Sequence, residues 1–206
     1  MQTYVIALEP EEKLCNLIKE KKELIKSRIG EQIYLSHPPH LTLFPITSEK
    51  LNQIMLGLEN IKQTIKKFPI TLTDFFIFYN DLQTKGHTIV CKLSQETTAY
   101  LKKIQIEMLN KINSLNTKEM FSIEDSYHQI TSKIEKQNIS NYGYPYIGEN
   151  WIPHFTISSI DKNQFSEIWE ELKQNPIQGN FIINSIVLYN YIPPEKPELI
   201  KRFNLN

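Results

Sequence analysis

The sequence predicts an α+β chain built as two similar lobes, and three observations lead there. Strand-like runs with a period of two are interspersed with helical stretches of period 3.6. The phrase Pro-His-apolar-Thr-apolar occurs twice, as "PHLTL" at residues 39–43 and as "PHFTI" at residues 153–157. No low-complexity tract or flexible linker separates the copies, so both lobes are expected to pack together as one domain over residues 1–206.

The elements follow in order. "TYVIALEP" reads as a buried strand ended by Pro10. The next stretch, through Gly30, reads as a helix with Leu14, Leu17, Ile18, Leu24 and Ile25 as its apolar stripe and Gly30 just past its end. Its charges alternate in sign, which marks a solvated face rather than a basic patch. An extended stretch from Tyr34 to Pro45 holds the first motif, and a second helix is expected over Ser48–Lys67, with Ser48 as N-cap. "FPITLTDFFIFYN" and "HTIVCKLS" read as two strands joined by a turn at Gln83–Gly86, and a third helix over Gln95–Leu115 follows. Residues 116–150 are polar, end in the aromatic "NYGYPYIGENW", and read as a loop over a site. After the second motif come a helix near Lys162–Gln174, a strand over Gly179–Tyr191 and a last strand over Leu199–Asn204, with prolines 193, 194 and 197 between the strands.

Composition narrows the function. The 23 basic and 23 acidic side chains cancel, so no global field recruits long nucleic acid or an anionic membrane, and a compact substrate or a polymer end is the simpler partner. No apolar run approaches the roughly 20 residues that span a bilayer. Cys15 and Cys91 lie far apart, form no metal-type spacing and suit a reducing cytosol. The opening residues lack the features of a secretion signal, so the expected location is cytoplasmic.

The repeated phrase is the chemical signal. In a strand, residues i and i+2 share a face, so His40 and Thr42 project together with Leu41 and Leu43 behind them. His154 and Thr156 do the same in front of Phe155 and Ile157. One His-x-Thr alone is explained by strand propensity. Two copies 114 residues apart, both preceded by proline, point to a functional pair.

These two motifs, each on a strand of one lobe, resemble the two-histidine (2H) phosphoesterase superfamily, and most nearly its 2′–5′ RNA ligase-like and 2′,3′-cyclic phosphodiesterase branch. The specific likeness lies in "HLTL" and "HFTI"; the likeness in element order spans the chain. The resemblance implies a pseudo-twofold pair of antiparallel sheets lining a central cleft, helices outside, the motifs facing each other, and no metal or cofactor. Cyclic phosphodiesterases of this branch often carry a basic residue soon after the second motif; this sequence has Ser158, Ser159 and Ile160 there.

Opening a 2′,3′-cyclic phosphate requires a proton taken from water and another given to the departing ribose oxygen. Imidazoles, with a pKa near 6.5, can do both at neutral pH. His40 and His154 are therefore the expected acid–base pair, with Thr42 and Thr156 holding phosphate oxygens. The expected partner is a nucleotide or short RNA, and the protein is expected to be a monomer. Phe44, Tyr144, Tyr146 and Trp151 are candidate stacking surfaces for a base; packing at strand and loop ends is the plainer reading of Trp151. His37 lies three before His40, but the intervening prolines and the lack of a ligand set argue against a metal. His87 reads as a turn residue and His128 as structural or exposed. Two other functions remain open: cleavage of 2′–5′-linked or cyclic oligonucleotide messengers, and nucleotide binding without turnover.

Overall fold

A computed structural model describes residues 2–117, 132–190 and 195–206. Its elements are β1 (Gln2–Pro10), α1 (Glu12–Ile29), β2 (Leu41–Ser48), α2 (Leu51–Lys62), β3 (Phe68–Phe78), β4 (His87–Leu93), α3 (Gln95–Ile112), α4 (Lys133–Tyr142), β5 (His154–Ile160), α5 (Lys162–Leu172), β6 (Gly179–Asn190) and β7 (Glu198–Asn204). The α+β expectation holds.

All seven strands pair antiparallel, in the order β2-β1-β6-β3-β4-β5, with β7 also on β6. The two sets of strands share β6. Its residues 183–190 pair with β1, and residues 179–183 pair with β3. Ile183 is opposite both Pro10 and Phe68, so β1 and β3 flank β6 on opposite edges. The two expected sheets are thus one continuous hydrogen-bonded network, because a single 12-residue strand is long enough to serve both. The motif strands β2 and β5 end the path on either side, and they approach each other in space. A twisted sheet with such ends encloses a cleft.

Burial explains each element. The main core joins Ile6 and Leu8 of β1 to Leu14, Ile18 and Ile25 of α1, Ile54 and Leu58 of α2, and Leu101 and Met108 of α3. Val5 and Ala7, on the other face of β1, pack with Val187 and Tyr189 of β6 on the cleft side. Gly30 ends α1 at φ 79°, as the glycine predicts, and its N–H donates to the Lys26 carbonyl. α2 starts later than expected. Ser48 closes β2, and its hydroxyl accepts from the Lys50 N–H, so it caps the turn before the helix rather than the helix itself.

Within the segment read as a loop, residues 133–142 form α4, opened by the Ser132 hydroxyl accepting from Glu135 N–H and closed by Gly143 at φ 72°. No residue of α4 is fully buried, and its half-buried side holds Glu135 and Asn138 beside Ile139 and Tyr142 while Ile134 is exposed, so the apolar stripe is too broken for hydrophobic periodicity to reveal. His128 and prolines 193 and 194 lie outside the described residues; among those described, no helix is long and apolar enough to cross a membrane.

Gln105 of α3 is fully buried and links three segments. Its amide nitrogen donates to the carbonyls of Leu43 (2.7 Å) and Tyr146 (3.1 Å), and its oxygen accepts from Gly148 N–H (2.9 Å). Replacing it with alanine strands these groups, so Gln105→Ala should lower stability by about 2–3 kcal/mol in urea denaturation. A change within about 0.5 kcal/mol, the range of ordinary surface substitutions, would show that the bridge does not hold these segments.

Candidate functional site

The chain approaches each histidine in the same way. Pro38-Pro39 and Pro153 impose extended backbone, and each motif then enters a strand at the end of the sheet path. His40 Nδ1 lies 2.8 Å from the Pro38 carbonyl, and His154 Nδ1 lies 2.7 Å from the Ile152 carbonyl, two residues back in both cases. A carbonyl only accepts, so each Nδ1 carries a proton, and in the neutral ring Nε2 is the acceptor nitrogen.

Each strand also contains a β-bulge directly after its threonine. Thr42 is opposite Ala7 and Phe44 opposite Ile6, so Leu43 is the extra residue of β2. Thr156 is opposite Val90 and Ser158 opposite Ile89, so Ile157 is the extra residue of β5. A bulge shifts the alternation of side chains and often re-aims them beside a site.

This overturns the expectation for Phe44. Beyond the bulge it turns into the core at 1% exposure, and Pro45 lines the cleft in its place. Ser158 and Ser159 are likewise buried. Ser158 Oγ donates to the Ile33 carbonyl at 3.0 Å, and Ser159 Oγ lies 2.6 Å from Thr84 Oγ1. These serines clip neighbouring loops together rather than replacing the basic residue their position suggested.

His40, Thr42, His154 and Thr156 all line one cavity of about 450 Å³, and each is half-buried. Tyr144, Tyr146 and Trp151 line it too, the two tyrosine rings meeting edge to face at 5.4 Å. Trp151, 4% exposed, is mainly a packing residue with one edge on the cavity. His87 does not reach the cavity; it packs against Tyr79 and Phe165 and accepts from the Asn80 N–H. His37 is a buried cavity-wall residue against Tyr34. Among the described residues, no three His, Cys, Asp or Glu side chains group closely enough to hold a metal ion.

Other residues on or behind the cavity wall are not among the sequence candidates. Phe78 meets His154 edge to face at 5.1 Å, and Tyr189 lies 5.4 Å from His40. Asp81 lines the cavity, its carboxylate accepting from Thr88 Oγ1 and Gln83 N–H. Asn150 lines it as well, and its buried amide nitrogen has no hydrogen-bond partner among the described residues. Lys22 interrupts the apolar stripe of α1. Buried, it donates to the carbonyls of Tyr34 and His37, both at 2.7 Å, and so braces the turn that delivers the first motif. A charged residue at a stripe position was the available clue.

Known proteins resemble this chain in sequence pattern and in fold. A family profile described as the 2′-5′ RNA ligase superfamily matches residues 10–193. The chain belongs to this superfamily, within the 2H phosphoesterases. Membership supports phosphoesterase or RNA-ligase-like chemistry. Among solved structures, TT0787 of Thermus thermophilus is similar at a TM-score of 0.60 and 14% identity, covering 98% of this chain and 97% of its own. E. coli LigT complexed with 3′-AMP is similar at 0.53 and 15% identity, covering 100% and 98%. At such identities the likeness speaks for the shared fold. No curated protein matches the sequence.

The two histidines of this superfamily member sit in unequal fields. Burial pushes His40 down to about 4, aided by the charges of Lys22 and His154 and opposed by the Pro38 carbonyl. Burial also lowers His154, but the Ile152 carbonyl and the Asp81 carboxylate oppose it. Burial lowers Lys22 as well, to about 8.

In the unfolded chain His40 binds a proton near pH 6.5; in the folded protein it does so only near 4. The associated stability is complete above pH 6.5 and is lost as pH falls toward 4. Folding stability should therefore decline across that window, and His40→Asn should flatten the decline. An NMR titration that places the His40 midpoint at or above 6.5 would refute this account of the site.

Proposed function

We propose that the protein is a metal-independent phosphodiesterase that opens 2′,3′-cyclic phosphates of nucleotides or RNA ends. One observation supports this above others: two His-Thr pairs with matching Nδ1 bonds and matching bulges line the same cavity. Superfamily membership supports the phosphoesterase class, and the crystallisation of LigT with 3′-AMP is consistent with a nucleotide in such a cleft.

The two imidazoles divide the work according to their surroundings. Lys22 disfavours the charged form of His40, while Asp81 favours that of His154. His40 Nε2 takes a proton from water as its oxygen attacks phosphorus. His154, protonated when the phosphate anion enters, gives its Nε2 proton to the ribose oxygen as the P–O bond breaks. The products are a phosphomonoester and a free hydroxyl. Proton exchange with solvent then restores both rings. Thr42 and Thr156 donate to the non-bridging oxygens, whose charge grows toward the transition state. Tyr144 and Tyr146 offer rings on which the base can stack.

Activity on a nucleoside 2′,3′-cyclic phosphate should persist in chelator and follow a bell-shaped pH profile. His40→Ala and His154→Ala should each lower kcat about 10²- to 10⁴-fold. Their behaviour should part on bis(4-nitrophenyl) phosphate, whose leaving group needs no proton: His154→Ala should regain much of its rate and His40→Ala should not. Recovery in the His40 variant alone would reverse the roles. Unchanged turnover in both would remove the mechanism.

A further inference from the structure

A second groove, about 950 Å³, opens beside the candidate site and shares His154 and Ile152 with it. Its floor is the continuation of the cleft face of β3 and β4. Phe76 and Phe78 stand two apart on β3, opposite Val90 and Thr88 of β4. Phe78 lines the first cavity and Phe76 the groove, and the rings meet edge to face at 5.1 Å. With Phe78 against His154, an aromatic line runs from the reacting imidazole out to Phe76, which is 40% exposed.

The charges along the groove are not evenly matched. Glu149 is paired with Lys102 and Glu107 with Lys111. Lys92, opposite His154 of β5 on one side and Asp74 of β3 on the other, and Lys103 of α3 are exposed, and among the described residues neither forms an ion pair. The groove therefore combines an exposed aromatic ring with two lysines outside any ion pair, of which Lys103 has no carboxylate facing it across a strand ladder; a ring and a cation so placed hold a single strand by stacking and phosphate contact.

We propose that this groove binds the upstream nucleotides of an oligonucleotide whose 3′-terminal cyclic phosphate lies between His40 and His154; this rests on the phosphodiesterase reading above. The chain of such a substrate continues from the 5′ oxygen of its last ribose and must leave the cavity over a rim. The rim formed by Ile152 and His154 leads directly into the groove. The preferred substrate class is then a short single-stranded RNA end rather than a free cyclic mononucleotide. The neutral overall charge fits an affinity confined to this one track.

Kinetics with a cyclic mononucleotide and with di- and tetranucleotides ending in 2′,3′-cyclic phosphate test this. KM should fall as the substrate lengthens. Phe76→Ala and Lys103→Glu should each raise KM for the tetranucleotide about tenfold while leaving mononucleotide kinetics unchanged. Lys103→Glu should also flatten the salt dependence of tetranucleotide KM, by a slope of about 0.7 for one lost phosphate contact. Equal KM at all lengths, or variants that affect every substrate alike, would overturn the groove assignment while leaving the cyclic phosphodiesterase reading intact. If no cyclic phosphate is turned over, that reading fails. The groove is then judged by fluorescence anisotropy with a labelled tetranucleotide 3′-phosphate: weakening in both variants supports it, and unchanged or absent binding overturns it.

Discussion

The architecture depends on the sharing of β6. One strand satisfies backbone groups of β1 on one edge and of β3 and β7 on the other, so the two halves of the sheet cannot drift independently. The order that results leaves β2 and β5 at the two ends of the path, where they approach each other. Strand edges at the ends of a sheet are ordinarily a liability. Here they border a cavity, and that cavity is where both motifs deliver their histidines.

Local devices repeat on this frame. In each half a proline sets the approach, a carbonyl two residues back selects the Nδ1–H tautomer, and a bulge after the threonine returns the strand to the core. The symmetry is broken by what surrounds each ring. His40 has Tyr189 and the field of Lys22; His154 has Phe78 and the field of Asp81. Two similar imidazoles thereby sit beside charges of opposite sign. The same asymmetry extends outward, since the aromatic line and the lysine-bearing groove adjoin only the His154 side.

The site residues differed in how far they could be read from the chain. His40, Thr42, His154 and Thr156 were legible because a strand of period two ties their directions to spacing alone. Phe44 was misjudged because a bulge is a property of pairing with β1, and nothing in "HLTLF" announces the extra residue. Helix α4 escaped because its half-buried side includes Glu135 and Asn138, and Asp81, Asn150 and Phe78 are single residues that reach the cavity only through the folding of their loops and strands. Lys22 was visible as a lysine on an apolar stripe, but its two carbonyl partners were not.

By itself, then, the sequence determined the local choices: strand or helix from periodicity, the end of α1 at Gly30, and two matched imidazole–hydroxyl pairs, since each depends on residues a few positions apart. Tertiary structure alone decided that the strands of both halves join through β6 and that the pairs face one cavity. It also decided which imidazole lies nearer a lysine and which nearer an aspartate. Those outcomes come from pairing and burial between segments far apart in the chain, and no local pattern encodes the register in which they meet.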